Sequence, residues 1–198
     1  MKKFELTSET KINIFGKKLF RIKALISFGD VEAGETGGWV EKEGNVNQSG
    51  DAWVYGDAMV SGDAMVSGDA MVSGDAMVYG NAMVYGNAMV YGNAMVSGDA
   101  MVYGNAMVSG DARVYGDAMV SGDARVYGDA DYTTIHGFGT QFRTTTFFRC
   151  KDKKVRVACG CFFGTIPEFR EQVKNTRKGK IAEEYLMIAD LMEKHFEK

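Results

Sequence analysis

Between Gly50 and Ala130, apolar and polar positions recur on a six-residue cycle, Gly-Asp/Asn-Ala-Met-Val-Ser/Tyr. Alanine returns at every sixth position from Ala52 to Ala130, valine from Val54 to Val126, and glycine from Gly50 to Gly128. In an extended segment alternate side chains face opposite ways. Alanine and valine then point to one side, methionine and serine or tyrosine to the other. The remaining Gly-Asp/Asn pair reads as a turn, because glycine accepts a positive φ and Asn or Asp tolerates the left-handed region better than other residues. Short strand, sharp turn, short strand, with a small residue at a fixed step, predicts a tightly coiled β-solenoid. Each repeat stacks on its neighbours and none folds alone.

The pattern changes at both ends. Residues 1–37 carry β-like runs, Lys11 to Phe15 and Leu19 to Leu25, without helical periodicity. An open solenoid end exposes backbone and core, so this segment is expected to be an N-terminal β cap. The six-residue phase extends back through Gly44 and Gly38, which puts Val46 and Val40 at the alanine position and the rod at 38–132. Past Asp131 the phrase dissolves: Tyr132 stands at the valine position and His136 at the alanine position, and Gly137-Phe138-Gly139 marks a break. Arg143 to Cys150 and Lys154 to Cys161 read as a hairpin around Asp152-Lys153. Thr165-Ile166-Pro167-Glu168 is a capping box that starts a helix to about Asn175. Lys178-Gly179-Lys180 ends it, and Ile181, Tyr185, Ile188, Met192 and His195 trace one face of a last helix. Residues 133–198 are therefore expected to form a C-terminal ββαα domain.

The repeated phrase resembles the hexapeptide repeat of left-handed parallel β-helices, with Val54, Val60 and their successors at the aliphatic position and Ala58, Ala64 and theirs at the small one. That resemblance implies three hexapeptides per triangular coil. Residues 38–132 would then make about five coils and roughly 25 Å of rod at ~4.8 Å per strand. The expected fold class is mainly β: a left-handed parallel β-helix (hexapeptide solenoid) with an N-terminal β cap and a C-terminal α/β domain. The opening KFELTSET…LFRIKAL…FGDVEAGETGGWVEKEGNV and the closing TTTFFRCKDKKVRVACGCFFGT…EFREQVK…EEYLMIADL are similar to uncharacterised hexapeptide-repeat proteins of bacteriophages and prophages. This likeness implies architecture and phage context but no activity.

Folding the numbering by 18 sorts the outward positions into three faces. The first carries Trp53, Met71, Met89, Met107 and Arg125; the second Met59, Met77, Met95 and Arg113; the third Met65, Met83, Met101 and Met119. Tyr85 and Tyr103 run beside the third. Large apolar stripes are unusual on monomers, and methionine suits adaptable contacts. The third face, with Tyr85 and Tyr103, is therefore a candidate interface for self-association. The resemblance implies a trimer; a host protein is the other candidate partner.

Composition narrows the chemistry. The three cysteines, Cys150, Cys159 and Cys161, are too few and too clustered for a disulfide framework and suit a reducing cytoplasm. No apolar run follows the N-terminal lysines, so neither a signal peptide nor a membrane span is expected. The net charge of −3 hides an asymmetry: residues 1–37 sum to +2, 38–132 to −10 and 133–198 to +5. Related acyltransferases and carbonic anhydrases depend on histidines at the coils, whereas this chain has only His136 and His195, both outside them. No enzyme activity, metal or cofactor is expected. The cysteines, with His136, could be drawn as a zinc set, but they read more simply as small core residues. The Asp/Asn turn columns could gather Ca²⁺, but they serve the turn and solubility without it.

One ligand site is foreseeable, where the rod meets the C-terminal domain. His136, Gly137, Phe138, Gly139, Thr140, Phe142, Arg143, Thr145 and Arg149 combine free backbone N–H groups, hydroxyls, aromatic rings and two arginines spaced to share a strand face. A nucleotide is the natural ligand to expect there. Two functions lead, a non-enzymatic, homo-oligomeric binding or scaffold protein or a counter-defence or regulatory binder that sequesters an anionic ligand; a hexapeptide acyltransferase-like enzyme comes third, disfavoured because the repeats hold no histidine.

Overall fold

The computed structural model describes residues 2–197. Its rod consists of thirteen two-residue strands, β4 (Trp53–Val54) to β16 (Arg125–Val126), one every sixth residue. Each pairs in parallel with the strand 18 residues along: Met59 lies beside Met77, Met77 beside Met95, and Met95 beside Arg113. Three ladders result, so the chain winds as a parallel β-solenoid of about five turns. In the middle of the rod, backbone hydrogen bonds tie a hexapeptide to the next coil at three points, as in Asn81 N to Gly98 O (2.9 Å), Met83 N to Ala100 O (2.9 Å) and Tyr85 N to Val102 O (3.0 Å). The Ala and Val of every coil are buried and form one continuous core. Alanine leaves room at the narrow interior, and valine fills it with a branched chain stiff at χ1.

At the N-terminal end, β1 (Phe4–Ile12), β2 (Lys18–Ala24) and β3 (Thr36–Val40) pair antiparallel, and β3 joins the second face in parallel with Met59–Val60. The run expected at Lys11 to Phe15 instead straddles the end of β1 and a turn that Asn13 closes with its side chain. The repeat phase also differs from the sequence reading. Val40 lies beside Val60 and Val46 beside Val66, so both occupy the valine position, not the alanine one. Val46 and Val54 are thus eight residues apart where the cycle has six. The two extra residues place Gln48 against β1: its Oε1 accepts from Lys3 N (2.7 Å) and Phe4 N (3.2 Å), and its Nε2 donates to Phe4 O (3.2 Å).

Trp53 is a second departure. It takes a methionine position, yet it is fully buried, with Phe4 and Phe28 packed edge-on at 5.8 and 5.4 Å. The N-terminal segment folds over the first rung of that face. Lys3, also buried, donates from Nζ to Gly50 O (3.0 Å) and Ala52 O (2.8 Å), satisfying carbonyls of the first coil. Burial lowers its pKa.

Beyond the rod the structure has four strands before its helices, not two. β17 (Tyr132–Phe138), β18 (Arg143–Arg149), β19 (Val155–Cys159) and β20 (Phe162–Thr165) form an antiparallel sheet, followed by α1 (Ile166–Thr176) and α2 (Gly179–Phe196). The hairpin of β18 and β19 matches the expected one. β17 was hidden because it follows the repeat without a pause, and β20 because it runs directly into the capping box, in which Thr165 and Glu168 bond each other's backbone. One face of the sheet lies on the last coil: Phe148, Cys150 and Ala158 join the solenoid core. The other face packs Phe147 and Val157 against Phe169, Val173, Ile188 and Met192 of the helices. Met119 N donates to Thr146 Oγ1 (3.0 Å) and Lys151 N to Asp123 O (3.0 Å) across the seam. No helix among the described residues is long and apolar enough to cross a membrane.

Candidate functional site

Two surfaces stand out. On the third rod face, Met65 and Met83 are 41% and 38% exposed, while Met101 is more covered. Met119 packs against the core beneath the C-terminal sheet. The column points outward as the alternation requires, but it is shielded more than isolated side chains would be. Rungs ~4.8 Å apart make each methionine cover its neighbours. Tyr85 and Tyr103, one coil apart, stack with centroids 4.9 Å apart and planes 2° from parallel. Burial raises the Tyr85 hydroxyl's pKa.

The turn columns show how stacked carboxylates are tolerated. Asn81 donates to Asp99 (2.8 Å), Asn87 to Asn105 (3.1 Å), Asn93 to Asp111 (3.0 Å) and Asn105 to Asp123 (3.3 Å), each one coil further on. An amide between carboxylates turns a repulsive contact into a hydrogen bond.

The second surface is a cleft between the sheet and the helices. It has a volume of about 550 Å³, and its walls include Phe138, Thr140, Gln141 and Arg143 from the β17–β18 turn. Asn175, Thr176, Arg177 and Lys178 come from the α1–α2 connection, and Ile181 and Tyr185 from α2. A smaller hollow of about 170 Å³ adjoins it, sharing Arg143, Cys159, Thr176, Arg177 and Tyr185 and adding Cys161 and Phe162. No carboxylate lines either hollow. Among the described residues, Arg143, Arg177 and Lys178 form no salt bridge.

Two glycines open the space. A Cβ on Gly160 would lie 2.4 Å from Arg143 Nη1, and one on Gly139 would lie 2.4 Å from the Tyr185 hydroxyl oxygen. Both have positive φ (59° and 72°). Tyr185 donates to Phe138 O (3.2 Å), and burial raises its pKa.

The nine residues expected to form one site divide between places. Phe138, Thr140 and Arg143 line the cleft, and Gly139 abuts Tyr185. Thr145 is buried beneath it, its hydroxyl donating to Cys159 Sγ (3.1 Å). Gly137 bends the chain at φ 90°, where the β17–β18 register slips between Ile135 and Phe138. That bulge turns Phe138 to the helix side. His136 stays on the rod side, with Nδ1 3.0 Å from Thr144 Oγ1, which donates to Asp117 (3.3 Å). Phe142 is exposed, at φ 48°.

Arg149 does not join Arg143. Six residues of extended strand span ~20 Å, so a shared face is not a shared site. Arg149 instead donates to Phe196 O (2.6 Å), pairs with Asp131 (3.5 Å) and lies over the Phe196 ring. The hollow beside it, about 410 Å³, contains Lys153 and Lys154 but also Glu193 and Glu197. The expected location at the rod junction is thus replaced by one on the opposite face of the sheet. Arg177 and Lys178 were missed because their segment reads only as a helix break. The signal was present in the dense basic run Lys174 to Lys180.

The three cysteines do not converge: Cys150 is buried at the seam, while Cys159 and the exposed Cys161 border the smaller hollow on the helix side. Among the described residues no three His, Cys, Asp or Glu side chains converge as a metal site.

A family model described as the YdcK beta solenoid repeat matches residues 52–68, 76–90, 82–98, 88–102, 100–115 and 112–128. The chain is therefore a repeat protein of the parallel β-solenoid class. No curated protein matches it.

Proposed function

We propose that the protein is a non-enzymatic scaffold that self-associates, as a trimer, through the third face of its rod. The finer assignment is a left-handed hexapeptide β-helix of phage or prophage origin, working in the bacterial cytoplasm. Its N-terminal strands and C-terminal sheet act as caps that keep the solenoid from growing end to end. The observation that carries the reading is the apolar stripe of Met65, Met83 and Met101 beside the stacked Tyr85 and Tyr103. Methionine adapts to a facing copy, and stacked tyrosines present flat, rigid area at little entropic cost. The corner columns that flank the stripe mix Asp63, Asp69 and Asp99 with Asn81, Asn87 and Asn105, which limits like-charge repulsion between docked copies.

Light scattering at micromolar concentration tests this. Wild type should have the mass of a trimer, and Met83→Glu with Met101→Glu should reduce it to one chain that keeps the circular dichroism of the folded solenoid, at a lower melting temperature. A monomeric wild type, or a double variant that stays assembled, would refute the third-face assembly.

A further inference from the structure

We propose that the cleft between the β17–β18 turn and the α1–α2 connection binds a nucleoside phosphate. Arg143 and Arg177 grip the phosphate, with Lys178 adding charge at the mouth, and the base lies along Tyr185, Phe138 and Ile181. This site is independent of the rod face and of any oligomer.

Four observations converge. The volume of about 550 Å³ falls within the ~300–1,000 Å³ of small-molecule sites. Its three cations come from two elements remote in sequence, so the fold assembles them, and none is neutralised by a carboxylate in the lining. Arg177 Nη1 donates to Thr176 O (3.2 Å), and two guanidinium groups without an ion pair lining one space match the planar, multidentate recognition of phosphate oxygens. The chain also keeps glycine where a side chain would intrude: at Gly160 under the Arg143 guanidinium and at Gly139 against the Tyr185 hydroxyl.

The remaining wall separates a nucleoside phosphate from a bare anion. Phe138 and Tyr185 supply aromatic surface and Ile181 aliphatic surface. Thr140, Gln141, Asn175 and Thr176 offer donors and acceptors suited to a base edge or a ribose. An apolar wall with a few polar groups and a cationic end fits a ligand that is planar at one end and anionic at the other. The rod's charge of −10 over residues 38–132 discourages anions elsewhere, leaving this far end as their landing place.

Calorimetry on the full chain is the test. The probes are nucleoside mono-, di- and triphosphates, the matching nucleosides, inorganic phosphate and a short single-stranded RNA. At least one nucleoside phosphate should bind with a Kd below about 100 μM, at least tenfold tighter than its nucleoside or inorganic phosphate. Arg143→Ala and Arg177→Ala should each weaken binding tenfold or more, whereas Arg149→Ala should leave it unchanged. Gly160→Ala, which crowds the Arg143 guanidinium without removing a charge, should weaken binding less than Arg143→Ala does. Thermal melts of each variant separate loss of the site from loss of the fold.

Failure of every probe to bind below millimolar would overturn the proposal. So would equal effects of Arg143→Ala and Arg149→Ala, which would indicate diffuse charge. RNA bound a hundredfold tighter than any mononucleotide would replace the small-molecule site with a nucleic-acid surface.

Discussion

At the scale of single residues, the rod is set by what fits between coils. Gly110 and Gly116 provide a matched comparison, with φ of 63° and 66°. A Cβ on Gly110 would meet Tyr127 O at 2.4 Å, whereas one on Gly116 would meet nothing within 4 Å. Both substitutions to alanine pay the ~1–2 kcal/mol of a left-handed non-glycine residue. Gly110→Ala must in addition push two backbones apart. Urea unfolding should show Gly110→Ala destabilised by at least about 1 kcal/mol more than Gly116→Ala. Equal losses would mean that coil contact contributes nothing at that corner. Repetition itself made the alanine, valine and glycine roles legible, since each recurs in one environment. Trp53 escaped because its environment is not the repeat's: Phe4 and Phe28 arrive from 49 and 25 residues earlier in the chain.

At the scale of elements, the C-terminal sheet has two working faces. Its seam with the rod buries Cys150 and Tyr132. Burial pushes the Cys150 thiol from 9.0 up to about 11 and raises the Tyr132 hydroxyl further. The folded chain therefore keeps protons that the unfolded chain releases. The unfolded state binds fewer protons above about 9, so stability should fall as pH rises from there to about 11. Melting temperatures across this window should decline, less steeply in Cys150→Ala. A parallel decline in both proteins would remove Cys150 from the account.

The same sheet shows where sequence reading loses its grip. Strand parity correctly gave Arg143 and Arg149 a common face, and the capping box at Thr165 marked the start of α1. Parity is silent on distance, and it fails at the Gly137 bulge, where one irregular step puts Phe138 on the opposite side of the sheet from His136. Half of the cleft comes from the α1–α2 connection, whose position depends on how two helices dock and not on any local pattern.

At the scale of the whole molecule, the ends mainly hold their own coils, although at the N-terminal end the Phe15 ring also reaches Tyr79, with centroids 4.7 Å apart. β1 and Lys3 bond the first coil, while Thr146, Cys150 and Lys151 bond the last. Otherwise intermediate rungs bond their neighbours, so stability is nearly a sum over rungs. The rod is thus a gear with three teeth per revolution. Removing 87–104, one revolution, should bring the ends ~4.8 Å closer with their relative heading unchanged. Removing 87–92, one tooth clear of the Phe15–Tyr79 contact, should fold equally well yet swing the C-terminal sheet about 120° around the axis. Spin labels at Thr10 and Glu171, in a Cys161→Ser background, would report both distances. If the one-tooth variant unfolds, the ends communicate by more than neighbouring rungs. If it folds and turns, the bearing of the basic cleft relative to the N-terminal strands is a quantity that repeat duplication can change in steps of one third of a turn. Between Val46 and Val54 the chain instead inserts two residues without advancing an extra tooth, so the slip alters the contacts of β1 and leaves the heading alone.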